Sequence, residues 1–197
     1  MAWSHHHAAQ PSDYDFRGES YKSFFPNLHR YPATMLPQIG VKLMAEFGVR
    51  GRIALDPFCG SGSSFIAMIL AGFTEIHGFD RNGFATLLSR ARYRKYDFDQ
   101  LVRDCSRIST YAADCQLRDD GTPWLPSGIW AKAQKIRDEI RLNYGDASGD
   151  FLLVALAEAL RKSSYTRQGE FKLYRIPAAE RAQYRPDFAA IFAGLLP

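Results

Sequence analysis

Two acids and a glycine turn carry the first chemical clue in this sequence. Residues 54–65 read ALDPFCGSGSSF: an apolar run closes on Asp56, passes Pro57, Phe58 and Cys59, and turns through Gly60, Ser61, Gly62 and Ser63. Glycines at a strand-to-helix turn let backbone approach a ligand where a Cβ would collide. A tight turn without a ligand calls for the same residues, so the glycines alone decide nothing. The Gly-Lys-Ser/Thr ending of a phosphate-gripping P-loop is missing, and Phe65 stands where a GxGxxG run has its third glycine.

The acids narrow the choice. Asp56 ends the first apolar stretch and Asp80 ends the later stretch EIHGFD. An acid at the end of a second strand accepts hydrogen bonds from both ribose hydroxyls of a nucleoside. An acid at the lip of the first strand repels a pyrophosphate and attracts an ammonium. A nucleoside joined to a cationic amino acid satisfies both, and S-adenosylmethionine is such a molecule.

Positioning these residues requires strands and helices in alternation. Leu36, Ile39, Leu43, Met44 and Phe47 recur at helical spacing, which predicts an amphipathic helix over 36–47. RIALDPF reads as a buried strand and SSFIAMILAG as a helix with Ser61 or Ser63 at its N-cap. EIHGFD is a second strand, and GFATLLSRARYRKY a second helix with a basic end. This β-α-β-α order predicts an α/β fold with a doubly wound parallel sheet. Residues 97–125 give no clear element; IWAKAQKIRDEIRLNYG and DFLLVALAEALRKSSY read as helices, the latter buried. GEFKLYRI alternates like a strand, and a last helix is predicted from Ala178 to Leu195.

Composition sets the outer bounds. At 197 residues, 46% hydrophobic and 23% charged, the chain has the make-up of an ordinary globular protein with its own core. No apolar run reaches the length of a membrane span and no signal-peptide pattern opens the chain, so the expected location is cytoplasmic and no membrane partner is expected. Cys59, Cys105 and Cys115 form no CxxC pair, and His5, His6 and His7 have no matching ligands downstream, so no metal is expected. A formal charge of +4 permits a nucleic-acid partner.

Three segments, in order, resemble the DNA amino-methyltransferases that act on adenine-N6 or cytosine-N4 in restriction-modification systems. LDPFCGSGSS is similar to their motif I, DPFxGSGTT; LHRYPATMLPQI, residues 28–39, is similar to the HxYPAxM segment before it; GFDRN, residues 78–82, is similar to motif II, which carries the ribose acid. The resemblance implies a Rossmann-like class I methyltransferase fold, incomplete here, with a mainly helical C-terminal half. It implies S-adenosylmethionine as cofactor, held by Asp80 at the ribose and by the turn from Asp56 to Ser63 at the methionine end. Tyr31 and Pro32 would line the far side, and Phe79 or Arg81 would flank the adenine.

The same resemblance exposes a gap. These enzymes act through a [D/N/S]-P-P-[Y/F/W] tetrapeptide that holds a flipped base beside the methyl donor. None of the ten prolines here is adjacent to another, and the nearest stretches, TPW at 122–124 and RPDF at 185–188, lack the double proline. No catalytic residue is therefore assigned. The expectation is a split or truncated enzyme whose catalytic motif sits on a second polypeptide, with double-stranded DNA as substrate. A non-catalytic cofactor- or DNA-binding regulatory subunit and an RNA or small-molecule methyltransferase are the alternatives. The expected organisation is a leader over 1–20, a cofactor-binding core over 21–96, a variable insertion over 97–148 and a helical segment over 149–197. Arg161, Lys162, Arg167, Lys172 and Arg175 are the candidate DNA contacts, since such a group can neutralise phosphates without reading sequence.

Overall fold

A computed structural model describes Tyr14, Phe16, Leu28, His29, Tyr31 and residues 34–116, 121–167 and 174–197. The chain divides into two compact units: Met1–Asn27 with Ala33–Thr86, and Leu28–Pro32 with Leu87–Pro197. The first is small and mixed, the second helical.

In the first unit, α1 (Pro37–Glu46) leads to β1 (Ile53–Asp56), α2 (Ser63–Leu70) and β2 (Glu75–Gly78). β1 and β2 form a two-stranded parallel sheet in which Ile53 faces Glu75, Ala54 faces Ile76, Leu55 faces His77 and Asp56 faces Gly78. Parallel strands need a crossover, and α2 supplies it. α1 begins on Pro37, whose missing N–H costs nothing in a first turn. It buries Pro37, Gln38 and Gly40, not the predicted stripe, and leaves Leu43 and Phe47 exposed. The reason is close packing on α2: a Cβ on Gly40 would lie 2.9 Å from the Ala67 Cβ.

The expected burial of β1 is also corrected. Ile53 and Leu55 alternate outward and are 51% and 61% exposed. The parallel register sets Glu75 and His77 beside them, and those two side chains pair with each other at 2.9 Å. Nothing among the described residues covers this face of the sheet as parallel sheets are usually covered.

α3 (Gly83–Tyr93) begins in the first unit and ends in the second, followed by α4 (Phe98–Asp114), α5 (Ile129–Asn143), α6 (Asp146–Ser163), α7 (Ala178–Gln183) and α8 (Phe188–Ala193). α4 is the element that sequence reasoning missed. Asp97 caps it by accepting from the Gln100 N–H, and Leu101, Cys105, Ile108 and Ala112 form its buried stripe. These residues meet Ile136 and Ile140 of α5, Leu152 and Leu156 of α6, and Phe192 of α8 in one closed core. The predicted final helix is two helices. Pro186 disfavours helical backbone at Arg185 and lacks the N–H that continuation would need; Asp187 then caps α8 by accepting from the Ala190 N–H. Of GEFKLYRI, residues 169–173 lie outside the described residues; Arg175 forms an isolated antiparallel bridge with Thr166.

Candidate functional site

The acids and glycines of the first unit meet where β1 and β2 end. The Phe79 N–H donates to the Asp56 carbonyl and the Cys59 N–H donates to the Phe79 carbonyl, both at 2.9 Å, so the two strand exits are tied together. Asp80 completes the tie. One carboxylate oxygen accepts from the Gly60 N–H at 2.9 Å, the other from the Asn82 N–H at 2.7 Å. Asp56 accepts from the Phe58 N–H at 2.9 Å and from the Ser64 hydroxyl. Each carboxylate keeps further lone pairs for a ligand.

Gly60 and Gly62 have φ of +51° and +79°, a region that side-chain-bearing residues rarely adopt. A Cβ on Gly60 would meet nothing within 4 Å, so the turn needs glycine for its conformation, and the space beside it is open. The helix cap falls on Gly62, not on Ser61 or Ser63 as expected. Ser61 is buried, and Pro57 and Phe58 are exposed, Phe58 by 87%.

The turn is electrically negative. Cys59 lies between the two acids, and burial followed by the charges of Asp56 and Asp80 pushes its thiol pKa up. The charges of Asp56 and Asp80, which add to the effect of burial on this thiol, are of the sign that attracts a cationic group. Gly78 is a site feature that sequence reasoning missed. A Cβ there would sit 2.4 Å from the Phe65 ring, so the ring fits over the end of β2 only because Gly78 has no side chain.

Tyr31 belongs to the second unit, where it and Leu28 pack against Leu88, Ala91 and Val154. Its neighbour His29 lies 3.7 Å from the buried carboxylate of Glu158. Burial is the main cause of a lowered His29 pKa, against the pull of Glu158. Pro32 and Lys172 lie outside the described residues.

The basic residues separate by partner. Glu158 receives both ends of the Arg161 guanidinium at 2.8 and 2.6 Å, and that hydrogen-bonded pairing raises the Arg161 pKa. Arg90 is likewise held by Asp150 through two bonds of 2.9 and 3.0 Å, with Arg94 3.5 Å away. Lys162 and Arg175 have no carboxylate partner among the described residues, and Arg175 lies over the Trp124 ring at 5.3 Å. The Arg167 N–H donates to the Tyr174 carbonyl at 2.8 Å. Among the described residues no cluster of His, Cys, Asp and Glu could hold a metal ion, and no helix is long and apolar enough to cross a membrane.

Over 194 aligned residues the chain is 25% identical to the Type II methyltransferase M.MvaI of Kocuria varians, a match covering 90% of this chain and 42% of that protein. It is 29% identical over 76 residues to the Type II methyltransferase M.MjaII of Methanocaldococcus jannaschii, covering 39% of this chain and 14% of that protein. The chain thus spans less than half the length of the curated relatives it matches. No protein-family model and no solved structure matches it significantly.

Proposed function

We propose, from this similarity to Type II methyltransferases, that the chain is the S-adenosylmethionine-binding part of a DNA methyltransferase acting on an exocyclic amine of adenine or cytosine. The similarity in sequence supports the methyltransferase reading. The observation that carries the cofactor is the turn at the strand ends: two carboxylates, an open glycine backbone and a negative field in one place. The two parallel strands joined by α2 are compatible with part of a Rossmann-like methyltransferase sheet.

In this reading the free lone pairs of Asp80 accept the ribose hydroxyls, while its bonds to Gly60 and Asn82 hold the turn in shape. Asp56 faces the ammonium, and backbone from Pro57 to Ser63 borders the methionine moiety. Tyr31 and Pro32 stay in the cofactor set on the strength of the resemblance alone. When bound, S-adenosylmethionine supplies the activated methyl group. The base that carries the amine must be extruded and held in line with it, and the double-proline turn that does so in the resembled family has no counterpart in these 197 residues. We assign that role to further polypeptide, and the uncovered Ile53 and Leu55 face of the sheet supports a need for more chain there.

Calorimetric titration with S-adenosylmethionine tests the cofactor reading. The wild-type chain is expected to bind, Asp80→Ala to lose the heat of binding, and Gly60→Val to bind more weakly because φ at that position disfavours a branched residue. Equal heats from wild type and Asp80→Ala would sink the assignment.

A further inference from the structure

A second site lies in the helical unit. The loop 122–127, Tyr165 just past the end of α6, and α7 with the residues after it border a cleft of about 400 Å³, lined by Thr122, Ser127, Tyr165, Arg181 and Arg185 among others. That is within the range of small-ligand sites. Its walls carry positive charge that no acid among the described residues meets. Neither Arg181 nor Arg185 pairs with a carboxylate among the described residues; Arg185 donates only to the neighbouring Tyr184 carbonyl at 3.0 Å. Of the described acids near the two arginines in sequence, Asp187 is engaged as the cap of α8 and Glu180 forms no ion pair among the described residues.

Arg181 is the telling residue. Its guanidinium lies over the Tyr165 ring, 5.9 Å from the centroid, and its Nε–H is buried without an acceptor. Buried donors are normally satisfied, and an orphan beside a cleft invites an acceptor from outside. Thr122 contributes a further donor. Its oxygen already accepts from the Trp124 and Leu125 N–H groups, at 3.1 and 3.0 Å, which leaves its hydroxyl hydrogen to be given away. Beside the lining loop stands one more cation without a carboxylate partner among the described residues, Arg175, which donates to the Pro123 carbonyl at 3.3 Å. The two stretches that come nearest to the absent tetrapeptide, TPW and RPDF, both reach this cleft, through Thr122 and Arg185.

The geometry points to this cleft as a phosphate site for a nucleic-acid backbone, with Arg181 and Arg185 as its principal ligands. The chemistry is that of any phosphate: planar guanidinium forks and a hydroxyl donor around an uncompensated positive pocket. A backbone is chosen over a free anion because the cations do not stop at the cleft. Arg175 extends the charge beyond what one phosphate needs, as a strand with successive phosphates would use it. In taking DNA as the source of the phosphate, the assignment rests on the proposed function, though the cleft lies apart in sequence from the glycine turn. It also moves the expected DNA contacts from Arg161, which Glu158 already neutralises, to arginines that sequence reasoning passed over.

The experiment is fluorescence anisotropy of the full chain with two short duplexes of unrelated sequence, across a range of salt. Arg181→Ala with Arg185→Ala is expected to weaken both duplexes alike, by about tenfold or more at low salt. The dependence of log K on log salt should flatten by roughly 0.9 for each phosphate that is no longer neutralised. Arg181→Lys with Arg185→Lys keeps the charge but not the fork, and should retain more affinity than the alanine pair and less than the wild type, with the salt slope kept, which separates charge from misfolding. Unchanged affinity and slope in the alanine pair would overturn the assignment, as would absence of duplex binding by the wild type. Calorimetric binding of inorganic phosphate, abolished in the alanine pair while duplex binding persists, would make the cleft a free-anion site instead. If the alanine pair behaves as expected but Asp80→Ala leaves S-adenosylmethionine binding intact, the cleft stands and the methyltransferase reading falls.

Discussion

The two units solve the problem of apolar surface in opposite ways. In the helical unit, Ile108, Ile136, Ile140, Leu152 and Phe192 are wholly buried by other helices of the same unit. In the unit that carries the glycine turn, Ile53, Leu55, Phe58 and Phe79 are between 51% and 87% exposed. An amphipathic helix can satisfy its apolar stripe against two or three neighbours. A parallel strand has two faces and two edges, and a two-stranded sheet leaves most of them open. The lesson is that the candidate cofactor turn is built on the part of the chain with the least support of its own, while the basic cleft is built on the part with the most.

Truncating the closed core should have the largest effect. Leu152→Ala is expected to destabilise the chain by about 2–5 kcal/mol, read by denaturant unfolding, because the helices around it cannot fully collapse into the space. A loss below about 1 kcal/mol would mean that this core is looser than its burial indicates.

The next effect probes the one crowded point of the strand unit. Gly78→Ala forces a Cβ against the Phe65 ring at 2.4 Å, with an expected cost of about 1–3 kcal/mol. Adding Phe65→Leu should restore part of it, and no rescue in thermal melts would mean that the ring is not the obstacle.

These sites also mark how far the sequence could be read. The turn was legible because its demands are local: a φ near +51° at Gly60, an acid closing each strand. α4 was legible in principle, since Asp97 with Leu101, Cys105, Ile108 and Ala112 is a cap and a stripe, but alternating charges around them masked the period. Pro186 inside the last predicted helix was a visible break that apolar spacing on either side outweighed. The exposure of Ile53 and Leu55 could not be read at all, because an apolar strand carries no record of how many neighbours cover it. Gly78 looks like any strand-end glycine until Phe65 is seen across it.

A smaller, pH-dependent difference is expected in the helical unit. The folded chain holds the His29 pKa below 6.5, chiefly through burial, so the unfolded chain takes up the proton first. Stability is therefore retained above the unfolded value and lost as pH falls below about 6.5 toward the folded one. Melting temperatures of wild type and His29→Gln should diverge at neutral pH and converge on acidification; parallel curves would remove His29 from the account of pH dependence.

Least of all should follow from the open sheet face. Leu55→Ser is expected to change stability by no more than about 0.5 kcal/mol, since the side chain is already mostly in water. It should, however, reduce concentration-dependent association measured by light scattering, and a large loss of stability would show that the face is covered in the chain as it folds.

The central claim is that these residues bind the methyl donor but lack the means to present a base to it. Transfer of labelled methyl groups from S-adenosylmethionine to mixed-sequence double-stranded DNA tests it most directly, with the chain alone and with added polypeptide bearing a Ser-Pro-Pro-Tyr or Asp-Pro-Pro-Tyr motif. The expected result is no labelling by the chain alone, and labelling with the partner that disappears in Asp80→Ala. Robust labelling by the chain alone, abolished by Asp80→Ala, would contradict the claim and place a complete catalytic centre within these 197 residues.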